Sequence, residues 1–151
     1  MNGARFLVVN ADDYGFTPDV TEGIIAAHRE GIVTSATLMV TAGGFGHAVA
    51  LAKANPTLGI GCHLTLVGSP CLPGVLGPLP GSLGELARWL AAGRLSVEDE
   101  LAAQVNRMIS AGLAPTHLDT HKHTCMFPPI AEAVGRISAR LLVAVGTVGL
   151  L

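Results

Sequence analysis

Two adjacent carboxylates, Asp12 and Asp13, lie in the segment Asn10-Ala11-Asp12-Asp13-Tyr14-Gly15, directly after a short apolar run. The carboxyl end of a strand is where α/β folds gather their active sites. Neighbouring strand residues point to opposite faces, but a turning backbone lets both carboxylates face the mouth of a site, one on a metal and the other on a water. The plainer alternative is that both cap and solvate a βα loop. A second segment, Gly61-Cys62-His63-Leu64-Thr65-Leu66, sets one histidine in an otherwise apolar strand, where an unpartnered imidazole is costly. His63 reads either as a metal ligand or as a core histidine bonded to backbone. The third segment runs His117-Leu118-Asp119-Thr120-His121-Lys122-His123. An extended strand would project positions 117, 119, 121 and 123 from one face, clustering three imidazoles and a carboxylate. A solvated polar edge has a similar look, yet three His beside one Asp in seven residues point to metal binding or acid-base chemistry.

Two histidines from separate strands and one carboxylate match the ligand set of an open catalytic metal site, which keeps a position for water. The metal lowers that water's pKa and stabilises a developing oxyanion, while a second carboxylate serves as general base. The chemistry implied is hydrolysis of an amide, an ester or a phosphoester. His28 and His47 lie in predicted helices with no acidic partner at helical ligand spacing and read as surface residues. Cys62, next to His63, points to the opposite face and reads as packing.

The elements that must position these groups alternate strand and helix. Residues 5–10 read as a buried strand because Phe6-Leu7-Val8-Val9 is continuously apolar. Thr17-Pro18-Asp19 reads as a helix start carrying a Val20, Ile24, Ala27 stripe, closed by Gly31. A strand is predicted over 34–40, a helix over 45–54 stopped by Asn55-Pro56, and a third strand over 58–66. Residues 67–81, with Pro70, Pro73, Pro78 and Pro80, read as a long functional loop. Ser82-x-x-Glu85 is a capping box opening a short helix, and Ser96 begins another that Ala114-Pro115 ends. A fourth strand over 116–123 leads to Pro128-Pro129 and a helix through about residue 140. The uncharged tail 141–151, LLVAVGTVGLL, is shorter than the roughly 20 apolar residues a bilayer span needs. It reads as one more buried strand, or as sequence that has left its original frame in mid-domain.

The chain has 151 residues, 50% apolar and 13% charged, with a mean hydropathy of +0.52. One domain, 1–151, is expected, with strands covered on both faces as in an α/β protein with a parallel sheet. A formal charge of -2 and no basic cluster argue against nucleic acid. The apolar run after Arg5 meets polar residues too soon for a signal peptide. Three cysteines, Cys62, Cys71 and Cys125, have no CxxC spacing. They suggest neither a disulfide framework nor a zinc ribbon, so a cytoplasmic location is expected, with no membrane association.

The segments VNADDYGFTPDVTEGIIAAHREGIVTSATLMV at 9–40, GIGCHLTL at 59–66 and PTHLDTHKHTCMFP at 115–128 resemble the YdjC-like carbohydrate deacetylases, in family order and at similar intervals. The resemblance implies a (β/α) barrel-like, TIM-barrel-related fold and metal-dependent removal of an acetyl group from N-acetylglucosamine units, typically of chitooligosaccharides. It implies Asp12 as catalytic base, Asp13 as metal carboxylate, and His63 and His121 as metal histidines. His123 is a candidate for the acid that protonates the leaving amine. The family's metal is usually magnesium, although a carboxylate with two imidazoles suits zinc, manganese or iron as well. The partners implied are a small acetylated oligosaccharide and a second copy, as a homodimer.

The chain departs from the pattern in three respects. Cys125 stands where relatives often carry a further histidine, a full eight-stranded barrel takes about 250 residues, and the tail 141–151 diverges from the family. A partial barrel, the N-terminal part of a truncated or frame-shifted product, is therefore expected. Two other functions stay open beside the deacetylase: a non-catalytic metal-binding remnant with apolar surface and sheet edges prone to self-association, and a metal-dependent phosphoesterase, for which Lys122 is the main basic group near the site.

Overall fold

Strand pairing dominates the architecture. The computed structural model describes residues 7–68 and 73–146. Five strands, β1 (Asn10–Tyr14), β2 (Ser35–Leu38), β3 (Gly59–Leu64), β4 (His117–Thr120) and β5 (Ala144–Val145), pair in chain order, all parallel. Between them run α1 (Pro18–Arg29), α2 (Phe45–Ala54), α3 (Leu83–Ala91), α4 (Val97–Ser110) and α5 (Pro128–Leu141). Sequential parallel order, with crossovers of the one hand that parallel strands favour, puts the helices on one side of the sheet, so the protein is α/β and barrel-like.

Local sequence explains the helices. Thr17 Oγ1 accepts from Val20 N–H at 3.3 Å with Pro18 in the first turn. Ser82 Oγ accepts from Glu85 N–H at 3.2 Å, while the Glu85 carboxylate accepts from Gly81 N–H at 2.8 Å. Period-two alternation then divides the sheet. Tyr14, Ala36, Leu38, Ile60, Cys62, Leu64 and Leu118 enter the core, where Ile25, Ala48, Leu101, Met108 and Ile130 of the helices meet them. The opposite face presents Asn10, Asp12, Ser35, Gly59, His117 and Asp119 to an open cavity of about 830 Å³.

Four expectations change. The first strand begins at Asn10 rather than residue 5, since Val9 C=O already accepts from Thr34 and Ser35 N–H at the start of the ladder. Leu7 and Val8 are 80% and 70% exposed and line the inner cavity, so that part of the run is not buried; residues 5 and 6 lie outside the described residues. The sheet is covered by helices on one face only, its inner face opening to a cavity lined by polar and apolar residues together. The fourth strand stops at Thr120, and 121–126 coil into a tight 3₁₀ turn, so positions 121 and 123 do not continue the face of 117 and 119. In the tail, β5 is two residues long with Ala144 exposed, and Leu142 is 92% exposed. That segment is not a buried strand, and 147–151 lie outside the described residues, as does Cys71.

Candidate metal and hydrolytic site

A bulge places the acidic pair. The β1–β2 register shifts between Ala11 and Tyr14, and Asp13 adopts φ 60°, the left-handed region that Asp tolerates better than most residues. Asp12 therefore keeps the inner face of the sheet while Asp13 swings to the carboxyl edge, and Tyr14 anchors the strand by donating its hydroxyl to Ala48 C=O at 2.9 Å.

Asp13 Oδ1 lies 3.3 Å from His63 Nε2 and 3.2 Å from His121 Nδ1, and the two nitrogens are 3.3 Å apart. These groups form one set able to hold a metal. Ligand atoms about 2.0–2.1 Å from a tetrahedral ion sit about 3.4 Å from one another, so the triangle has the edge length such an ion requires. Asp13 Oδ1 is buried and makes no hydrogen bond, which leaves its lone pairs available to a cation. The donor set fits a divalent metal of the zinc, manganese or iron kind on ligand softness, and magnesium less closely.

Asp119 completes this geometry. It pairs with His63 in the β3–β4 register, and its Oδ1 accepts from His63 Nδ1–H at 2.6 Å. That bond fixes the tautomer and turns the Nε2 lone pair toward Asp13 and His121. His63 is 3% exposed. Its burial disfavours the charged ring, but the hydrogen bond to Asp119 and the negative carboxylate of Asp13 beside it outweigh this and raise its pKa to about 9. Beside it, the His63 imidazole holds the Asp13 carboxyl below the usual carboxylate range. Burial lowers His121 and His117 below the ordinary histidine value, so both are neutral near pH 7.

Asp12 Oδ1 accepts from Asn10 Nδ2 at 2.8 Å and Thr37 Oγ1 at 3.2 Å. Asp12 also belongs to a second potential ligand set with His63 and Asp119, whose donor atoms lie within 4.8 Å of one another. His123, at φ 52°, lines the inner cavity with Asp12 and belongs to neither set. His117 stands on β4 across from Gly61; a Cβ there would come within 2.5 Å of the His117 ring, so a larger residue at that point would displace the ring. Of the residues singled out by sequence, Asp12, Asp13, His63 and His121 come together, whereas His117 and His123 stay apart from the triangle. His28 bridges Val33 C=O and Thr57 Oγ1, and His47 lies 3.2 Å from Glu22. Asn10, Thr37 and Asp119 carry no individual role that the sequence alone reveals. Asp119 had a signal in its place two residues before His121 on an apolar-polar strand, but its partnership with His63 exists only through strand register.

This geometry defines a barrel-like α/β protein with a candidate metal centre at the carboxyl edge of its sheet. A model of the family described as YdjC-like protein matches residues 6–147, and the chain belongs to that family. It is 46% identical over 144 residues to a carbohydrate deacetylase of Brevibacillus brevis, covering 92% of this chain and 58% of that protein. Against a carbohydrate deacetylase of Geobacillus stearothermophilus the figures are 38%, 90% and 57%. A chitooligosaccharide deacetylase of Salmonella schwarzengrund is 39% identical over 149 residues, with 90% of this chain and 56% of that protein covered. A crystal structure from Enterococcus faecalis, described as a cellobiose-phosphate cleavage protein, superposes with a TM-score of 0.77 at 27% identity, over 95% of this chain and 59% of that one. The chain thus spans less than three fifths of the length of these relatives. Among the described residues no helix is long and apolar enough to cross a membrane.

Proposed function

We propose that this chain, as a single deacetylase domain over 1–151, carries the hydrolytic site of a metal-dependent carbohydrate N-deacetylase acting on N-acetylglucosamine units of chitooligosaccharides or related acetylated sugars. The observation that carries this reading is the convergence of Asp13, His63 and His121 around an unpartnered buried carboxylate oxygen, with Asp12 beside them. The names of the relatives supply the substrate class. In this reading Asp13 Oδ1, His63 Nε2 and His121 Nδ1 hold the metal, and magnesium, zinc or manganese is the ion to be tried. When bound, the metal supplies Lewis-acid polarisation of the acetamide carbonyl and of the attacking water.

Asp12 is the base. Asn10 and Thr37 both donate to its Oδ1, which orients the carboxylate and leaves Oδ2 to accept the proton of the attacking water. Asp119 keeps His63 in the required tautomer. His123, on the wall of the same cavity, delivers a proton to the departing amine. A cytoplasmic location and a homodimer belong to the same reading.

The test is acetate release from di-N-acetylchitobiose by the 151-residue chain loaded with magnesium, zinc or manganese, with Asp12→Asn as control. Release that needs metal and that the variant abolishes supports the reading. One equivalent of bound metal with no release overturns it in favour of a non-catalytic metal-binding protein, and release of phosphate from sugar phosphates instead would favour a phosphoesterase.

A further inference from the structure

The chain's only tryptophan, Trp89, lines a second concavity of about 330 Å³ that shares no lining residue with the inner-face cavity. One wall is made by the stop of α3. Gly93 takes φ 61°, its N–H bonds Leu90 C=O at 3.1 Å, and Arg94 N–H bonds Trp89 C=O at 2.9 Å. This left-handed helix stop folds the residue after the glycine back over the last turn, and it brings the Arg94 guanidinium 4.8 Å from the indole centroid. Arg94 makes no ion pair among the described residues, so its remaining N–H donors are uncommitted.

Leu76, Pro78 and Leu79 form the facing wall. Their segment is pinned from beneath by Glu100, 2% exposed, whose two carboxylate oxygens accept from Val75 N–H at 2.7 Å and Leu76 N–H at 2.8 Å. Gln104, fully buried, donates to Glu100 at 2.8 Å and pairs with both backbone groups of Thr65, at 2.8 and 2.7 Å. Thr65 lies two residues past His63. Three buried polar residues thus tie the second concavity to the edge of the sheet that carries the candidate metal centre.

We propose that this concavity is a saccharide subsite that takes one neutral N-acetylhexosamine unit. The C–H face of a pyranose packs on indole, leucine and proline, and the sugar's hydroxyl and acetamide oxygens accept from the guanidinium fork. A neutral unit fits better than a phosphorylated one because the Glu100 carboxylate lies in the wall of the concavity and Asp99 adjoins it in the first turn of α4, and both repel phosphate. The choice of an acetylated sugar rests on the deacetylase reading; the concavity and its pre-set Trp89–Arg94 pair do not.

Because Trp89 is the sole tryptophan, its fluorescence reports the site directly. The experiment titrates Asp12→Asn protein, which leaves the sugar intact, with di-N-acetylchitobiose and with cellobiose, and repeats the titration with Arg94→Ala and Leu76→Glu added. Leu76 is 63% exposed, so its substitution leaves the core alone. The expected result is a saturable change with the acetylated disaccharide, weaker with cellobiose, and weakened about tenfold by either added substitution. No saturable change at millimolar sugar, or a change that neither substitution alters, overturns the subsite. Acetate release by the unsubstituted chain is scored separately: release without a Trp89 response sinks the subsite and leaves the deacetylase, whereas a response without release does the reverse.

Discussion

Replacing Asp119 by Asn tests whether the 2.6 Å contact with His63 acts on the candidate metal centre. The carboxylate has two opposed effects. It orients His63 and enriches its Nε2, and loss of such a partner costs about 10–100-fold in metal affinity, or about 1.4–2.7 kcal/mol. The same carboxylate also helps raise the His63 pKa to about 9, so at pH 7 binding must expel a proton held about 2 pH units above ambient, at about 3 kcal/mol. The wild-type affinity should therefore climb about tenfold per pH unit from about 6.5 to 8.5, with about one proton released per ion. In Asp119→Asn the climb flattens once pH exceeds the ordinary histidine value, and the deficit against wild type widens toward pH 8.5. Competition with a chelating dye for zinc or manganese measures the affinity, and calorimetry in buffers of different ionisation enthalpy counts the protons. Equal affinities and equal pH slopes in two folded proteins would refute the assignment of Asp119 as the residue that positions His63.

The remaining predictions concern stability and access. His63 has a folded pKa of about 9 against 6.5 unfolded; its stabilisation, about 3 kcal/mol, is complete below pH 6.5 and lost as pH rises through about 9. The Tm of metal-free protein should fall between pH 7 and 9, and a flat profile would remove the pairing from the account. Glu100→Ala strands the Val75 and Leu76 N–H groups, and urea titration should show a loss of about 1–3 kcal/mol, with faster hydrogen exchange at both amides. Gly44→Ala would bring a Cβ within 2.6 Å of Gly15 C=O, a backbone clash worth about 1–3 kcal/mol in thermal unfolding. Wild-type stability in that variant would mean that α2 and the Gly15 turn are not held as described.

How far the sequence reveals the site depends on the range of the interaction. Caps are local, so Thr17, Ser82 and Pro128 mark their helices correctly, and 45–54 is helical as predicted. Cys62 falls in the core opposite His63 because alternation along one strand suffices to place it. The edges fail where alternation meets long-range pairing. Phe6 to Val9 look buried by hydropathy, but Leu7 and Val8 face an open cavity, and the ladder instead enters the polar Asn10–Tyr14 stretch, where Ala11 and Tyr14 turn to the core and Asn10 and Asp12 do not. Strand alternation carried onward would extend the face of His117 and Asp119 to His121 and His123. Lys122 and His123 at φ 53° and 52° break that strand, a left-handed pair that residue type does not announce. His63 and Asp119 are 56 residues apart and meet only because the third and fourth strands of the sheet pair in one particular register.

X-ray absorption at the zinc or manganese edge of the loaded protein addresses the central claim most directly. One ion per chain is expected, with two imidazoles and oxygen ligands, one imidazole being lost in each of His63→Ala and His121→Ala. Sub-stoichiometric metal, or a shell with no imidazole that is unchanged in both variants, would contradict it.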